Sequence, residues 1–138
     1  MTASKTRTQD CGRQDARNRL AQAEKYLEVA GLVLEDESSA TYSGVAASLA
    51  VLSGIAASDA ACCAKLGKRA RGQSHTEAIE VLETVAPDGQ EMANDLRRIL
   101  QRKDDAHYGT SFVPAGTANQ MVVWATRLLA MARDAVEA

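Results

Sequence analysis

The chain has 138 residues, a formal net charge of −2, and a composition that is 46% hydrophobic and 25% charged. These values predict one soluble globular domain, and the small net charge excludes a general electrostatic attraction to nucleic acid or to an acidic membrane. A nucleic-acid function would therefore need a local basic patch. The apolar residues are mostly Ala, Leu and Val, which favours closely packed helices over a β-sandwich.

Helical spacing of apolar residues organises most of the chain. Residues 1–12 are polar and predict a flexible N-terminal segment, followed by a single domain at residues 13–138. Helices are predicted at residues 13–37, from 42 or 43 to about 69, from 74 until the APDG sequence at 86–89, at 90–106 and at 118–136. No strand is indicated. We expect an all-α fold, a bundle of four to five helices with two long antiparallel helices and shorter ones.

Two local features refine this pattern. Ser74 and Glu77 match a capping box, in which the serine caps an amide and the glutamate reaches back to the start of the helix. Gly44, Gly54 and Gly67 weaken the second helix, which predicts a close approach of a neighbouring helix backbone.

The cysteines indicate a reducing environment. Cys11, Cys62 and Cys63 are odd in number and two of them are adjacent, so a disulfide framework is not predicted. We expect reduced residues in or near the core of a cytoplasmic protein. The polar N-terminus shows no signal-peptide pattern, and Ser, Gly and Asp59 interrupt the apolar segment at 45–66, so no membrane span is predicted.

The end of the fourth helix is the main candidate for chemistry. The sequence contains no recognisable phosphate-loop, zinc or di-iron motif, so no metal or cofactor is predicted. Arg98, Arg102 and Lys103 form a basic run that precedes His107. Arg102 and His107 would lie about 140° apart on an ideal helix, so they would meet only at a distorted helix end or across a dimer axis. A solvated helix end with an incidental histidine would show the same charges.

Polar residues within the most apolar helix form a second candidate. Ser58 and Asp59 lie midway along the second helix, and a buried carboxylate needs a partner, for which Arg98 and Arg102 are the candidates. Either a structural ion pair or a functional group would fit. A basic run, Lys65, Lys68, Arg69 and Arg71, follows, and it becomes a candidate site only if it lies beside residues 97–103. His75 is expected to be a surface turn residue.

The layout of these features resembles the HEPN superfamily. In that family of helical bundles, an R-x(4–6)-H motif lies near the end of the penultimate long helix, often with a tyrosine soon after. The corresponding residues here are Arg102 and His107, followed by Tyr108. The helix that carries Ser58 and Asp59 and the order of the later helices also look like bacterial HEPN-like proteins. The resemblance covers about residues 15–135.

The resemblance implies a metal-independent endoribonuclease of toxin or defence type. His107 would act as the general acid/base and Arg102 would hold the scissile phosphate at a homodimer cleft, with Arg98, Lys103 and Tyr108 binding the RNA. Ser58 and Asp59 would support the site. A nucleotidyltransferase-type antitoxin would be the partner.

Two alternatives stay open. Many HEPN-like proteins lack the nuclease pair and bind a nucleotide or a partner protein, and Lys103 with the immediately following Tyr108 would fit such a branch. The chain could also be an unrelated helical scaffold, in which these residues carry no chemistry.

Overall fold

Two long antiparallel helices form the centre of the fold. The computed structural model describes residues 7–35, 40–72 and 74–138, and the two helices are α1 (Arg13–Leu34) and α2 (Ala40–Leu66). Arg19 on α1 pairs with Asp59 on α2, and one turn later on α1 the Ala23 carbonyl accepts a hydrogen bond from Ser53, which precedes Asp59. The two helices therefore run in opposite directions, which confirms the predicted antiparallel pair.

Shorter elements complete the bundle. Strand β1 (Thr8–Asp10) precedes α1, and strand β2 (Lys68–Ala70) follows α2. The remaining helices are α3 (His75–Glu83), α4 (Gly89–Leu100), α5 (Lys103–Tyr108) and α6 (Ala115–Glu137). The all-α class is confirmed. The expectation of no strand was wrong, because β1 and β2 form a small antiparallel pair that joins distant parts of the chain.

Helix α2 is enclosed by its neighbours on most sides, since it contacts α1, α4, α5 and α6. Its fully buried alanines allow these close contacts and are Ala46, Ala47, Ala50, Ala56, Ala57, Ala60 and Ala61. The segment Tyr42–Leu66 is long and apolar enough to cross a membrane, but most of it is buried inside the fold, as in the core helix of a soluble protein. The apolar spacing of α2 predicts that Leu52 faces inward, yet it is 39% exposed.

The three glycines predicted to weaken the second helix have different surroundings. A Cβ at Gly54 would lie 3.2 Å from Ile99 Cδ1, so side chains of the neighbouring helices, and not the predicted backbone, fill the space beside this glycine. Gly67 has φ +71°, a left-handed conformation that ends α2 and favours glycine. Nothing lies within 4 Å of a Cβ added at Gly44, so the predicted close approach does not occur at that residue.

Cys11 and Cys63 form a disulfide, with Cα atoms 5.2 Å apart. The prediction that these two residues are reduced was wrong, because the pairing of β1 with β2 brings two cysteines together that are 52 residues apart in sequence. Closing a loop of this size stabilises the fold by about 4 kcal/mol through the entropy of the unfolded chain. Cys62 is the remaining cysteine, and it is buried and unpaired as expected.

The same contacts hold the end of the predicted flexible segment against the domain. Thr8 pairs with Ala70, Asp10 pairs with Lys68, and the Cys11 amide donates to the Gly67 carbonyl at 2.9 Å. Residues 8–11, which belong to the segment predicted to be flexible at residues 1–12, are therefore hydrogen-bonded to the domain. Residues 1–6 lie outside the described part of the chain.

The predicted fourth helix is divided at Gln101 and Arg102. Helix α4 ends at Leu100, and the Arg102 amide donates to the Ile99 carbonyl in a tighter turn before α5 begins at Lys103. The break lies before Arg102, and the Ala106 amide donates to the Arg102 carbonyl, so Arg102 and His107 belong to one helical segment and their meeting at a dimer axis stays a prediction.

Replacing Gly89 with alanine should destabilise the protein by about 1–3 kcal/mol, a typical cost of overpacking. A Cβ there would lie 2.6 Å from the Leu82 carbonyl oxygen, which belongs to backbone that cannot rotate away. The matched control is Gly31→Ala on α1, where nothing lies within 4 Å and the better helix propensity should add up to about 1 kcal/mol. Urea unfolding measures both changes. A Gly89→Ala protein as stable as the unsubstituted chain would contradict this account of the α3–α4 turn.

Candidate functional site: a basic cleft

A cleft of about 320 Å³ lies where α1, α2, α3, α4 and α5 meet the segment that contains β2. Its lining combines four cationic side chains, one carboxylate, and several hydroxyl and apolar groups. These residues are Arg19, Ile55, Ser58, Asp59, Arg69, Ala70, Arg71, Gly72, Ser74, His75, Ala78, Leu96 and Lys103.

The cations reach the cleft from separate parts of the fold. Arg19 comes from the middle of α1, and Lys103 is the first residue of α5. Arg69 lies in β2 and Arg71 lies just after it, and side chains two residues apart on an extended chain point to the same side. The break after Leu100 lets Lys103 line this cleft. The fold therefore concentrates positive charge on a chain with a negative net charge.

Asp59 keeps two of these arginines together. Its Oδ2 accepts from Arg19 Nε at 3.0 Å and from Arg69 Nη1 at 2.9 Å, and the residue is only 8% exposed. Two adjacent guanidinium groups repel each other, so the shared carboxylate compensates their charge at the base of the cleft. Arg69 donates one of its five N–H groups to Asp59, and Arg19 donates a further N–H group to Gln22 Oε1.

The predicted partners of Asp59 were wrong. Arg98 and Arg102 were the expected cations, whereas Arg19 and Arg69 occupy those positions. On α2, Asp59 faces the space between α1 and the β2 segment, not the end of α4. Because no sequence pattern indicates β2, the position of Arg69 could not be anticipated.

Ser58 and Cys62 lie beside and behind this pair. Ser58 lines the cleft and is buried, and its supporting role stays a prediction. Burial, and next the negative charge of Asp59, raise the pKa of the Cys62 thiol to about 12, while a hydrogen bond with Ser58 acts in the opposite direction. The thiol therefore stays protonated at neutral pH and is a poor nucleophile.

The start of α3 contributes to the same cleft. Ser74 caps the helix by accepting a hydrogen bond from the Glu77 amide at 3.3 Å, so the serine half of the predicted capping box is confirmed. Ser74 and His75 line the cleft, and the amides at the start of a helix add a partial positive charge. His75, expected at a surface turn, is a partly buried residue of this site.

The predicted nuclease residues whose side chains are described, Arg98, Arg102 and Lys103, do not share one cleft. Lys103 lines the basic cleft, whereas its neighbour Arg102 lines another, of about 580 Å³, with the loop that contains Phe112. Arg98 belongs to a third, more open depression on the opposite side of α4. The side chains of His107 and Tyr108 lie outside the described residues, although their backbone is part of α5.

Arg98 has a partner that explains its position. Asp95 is 3% exposed, and its Oδ1 accepts from Arg98 Nη1 at 3.0 Å and also from Arg127 of α6. The hydrogen bond and the charge of Asp95 raise the pKa of Arg127 further above its usual value. Two arginines around one buried carboxylate make a structural link between α4 and α6, so the structure favours that role for Arg98 over substrate binding.

Some of the cleft could be foreseen from the sequence and some could not. The run from Lys65 to Arg71 was a candidate only if it lay beside residues 97–103, and Arg69 and Arg71 do lie beside Lys103. Arg19 was missed, because on the helical pattern of α1 it is an ordinary polar-face residue. A search of the described part of the chain finds no group of three His, Cys, Asp or Glu side chains placed to hold a metal ion.

Comparison of the chain with protein-family models and with curated proteins finds no match. The interpretation of the cleft therefore depends on its own geometry.

Replacing Asp59 with asparagine should lower the free energy of unfolding by about 1–3 kcal/mol, because charge-assisted hydrogen bonds to Arg19 and Arg69 become neutral ones. The matched control is Asp104→Asn, the same change at an exposed carboxylate on α5, which should be close to neutral. Denaturant unfolding of the two variants gives the comparison. Equal stabilities would show that the Asp59 pair does not hold this part of the fold.

Proposed function

We propose that the chain binds a small phosphate-bearing ligand, of the nucleotide class, in the basic cleft. The observation that carries this proposal is the convergence of Arg19, Arg69, Arg71 and Lys103 on one cleft, in which Asp59 is the single carboxylate among the described lining residues. Their combined positive charge favours a ligand with more than one negative charge.

The chemistry of the lining favours a phosphate group attached to an organic molecule over a small inorganic anion. Guanidinium groups match the oxygens of a phosphate with paired N–H donors. Ile55, Ala78 and Leu96 give the cleft an apolar wall, against which a ring system can pack. A volume of about 320 Å³ lies within the range of small-molecule sites, so a nucleotide is a ligand of suitable size.

Binding is the function that these groups support best. The arginines and the lysine stabilise negative charge, and the protonated Cys62 thiol beside them is a weak nucleophile. This proposal corresponds to the non-catalytic branch that the HEPN resemblance leaves open, in which a helical module binds a nucleotide or a partner protein.

A metal-independent endoribonuclease is the second candidate. One observation favours it: the break after Leu100 places Arg102 directly before α5, where it lines a cleft of about 580 Å³ with the loop at residues 109–114, which offers space for an RNA phosphate. In this proposal Arg102 binds the scissile phosphate and His107 transfers the proton. The chain would act as a cytoplasmic homodimer, paired with a nucleotidyltransferase-type antitoxin.

Arg71→Ala and Lys103→Ala should each weaken ATP binding by about tenfold or more, since each removes a charged contact to phosphate. The matched control is Lys25→Ala, which removes the same charge from an exposed position on α1 outside the cleft. Isothermal titration calorimetry with ATP, AMP and adenosine separates phosphate recognition from packing of the base. The affinity should fall in that order and should weaken with added salt. Failure of ATP to bind at millimolar concentration, or equal affinity of Arg71→Ala and the unsubstituted chain, would refute the proposed function.

The ribonuclease proposal predicts RNA cleavage that persists in EDTA and is lost in both Arg102→Ala and His107→Ala. Lys25→Ala should cleave normally, and sedimentation of the same samples reports whether the active species is a dimer. Cleavage that persists in Arg102→Ala and His107→Ala, or that is absent from the unsubstituted chain, would remove this candidate and would leave the binding proposal unaffected.

A further inference from the structure

We infer that the Cys11–Cys63 disulfide is a redox switch for the basic cleft: the oxidised form holds the β2 wall in place for an anionic ligand, and a dithiol reductant releases it. The binding part of this inference rests on the proposed function. The structural part rests on contacts between the N-terminal segment and β2.

The wall of the cleft is built on an added strand. Arg69 faces Gln9 across the β1–β2 pair, and the Arg71 amide donates to the Arg7 carbonyl at 2.9 Å. Residues 7–11 therefore fix the backbone that presents two of the four cations. The carboxylate of Asp59 also holds the Arg69 side chain, whereas the backbone on both sides of Arg69 depends on the strand pair.

This strand pair needs an anchor. Each strand has three residues, and an isolated two-stranded sheet of this length is at best marginally stable in water. The strands are also far apart in sequence, so pairing them costs loop-closure entropy. The disulfide joins the residue directly after β1 to the last turn of α2, close to β2, and supplies that closure covalently. Without it, the pairing loses its main constraint.

The bond is open to reduction from one side. Cys11 is partly exposed, whereas Cys63 is 3% exposed. A thiolate of the reductant attacks Cys11 Sγ, the S–S bond breaks, and Cys63 leaves as a thiolate that takes up a proton. The second thiol of the reductant then resolves the mixed disulfide and gives the Cys11 thiol. The reductant is oxidised by two electrons, and the protein gains two electrons and two protons.

The adjacent cysteine does not interfere with this exchange. Cys62 is buried, and with the pKa of its thiol near 12 it is almost fully protonated at neutral pH. Because the thiolate is the attacking species, Cys62 does not displace either partner. Pairing between Cys11 and Cys63 is therefore regained on oxidation. In a cytoplasmic protein, a disulfide that forms and opens in this way would report the thiol balance around it.

The test compares the oxidised chain with the chain reduced by dithiothreitol, and with the double variant Cys11→Ser/Cys63→Ser. Cys62→Ala is the control that removes a cysteine and leaves the disulfide intact. Hydrogen exchange followed by mass spectrometry should show faster exchange at residues 67–72 on reduction, with α6 still protected. ATP affinity should fall by about tenfold or more, in line with the loss of at least one charged contact.

Each outcome decides the inference. Unchanged exchange at residues 67–72 overturns the switch, and so does loss of protection in α6, because reduction would then unfold the whole protein. Faster local exchange with unchanged ATP affinity also overturns it. If the oxidised chain does not bind ATP, the proposed function fails, and hydrogen exchange alone still shows whether the disulfide holds the wall.

Discussion

The bridge from Asp59 to Arg19 and Arg69 is the interaction on which the candidate site depends. It places one carboxylate at the centre of the apolar helix α2 and draws a cation from α1 and another from β2 toward it. A carboxylate that is 8% exposed is stable there because both cations compensate it. The same bridge orients the arginine donors that face the cleft. The stability of the helix pair and the charge of the cleft therefore have a common origin.

The helical core follows directly from apolar spacing. Leu20 and Ala23 on α1 and Leu96 and Ile99 on α4 are each spaced by three residues, as on one face of a helix, and all four are buried. Helix α2 is harder to orient, because small apolar residues occur all around it and its periodicity does not single out one face. For that reason Leu52 was assigned to the interior although it is exposed.

The candidate site was less accessible from the sequence, because its parts are remote from one another. Asp59 could be recognised as a buried carboxylate that needed a cation, but Arg19 and Arg69 approach it through long-range packing and through a strand with no clear pattern. The disulfide was missed for the same reason, because a strand pair that no sequence pattern indicates brings Cys11 close to Cys63. Local patterns thus indicate helices, whereas tertiary contacts select which charges meet.

The Cys11–Cys63 bond also changes the connectivity of the chain. It closes a covalent ring that contains all of α1 and nearly all of α2. A single backbone cut between these two helices would leave both pieces in one molecule, joined through sulfur, while the helices stay packed side by side. One cut within this ring therefore leaves the oxidised protein as a single covalent molecule, whereas the same cut divides the reduced protein into two separate fragments.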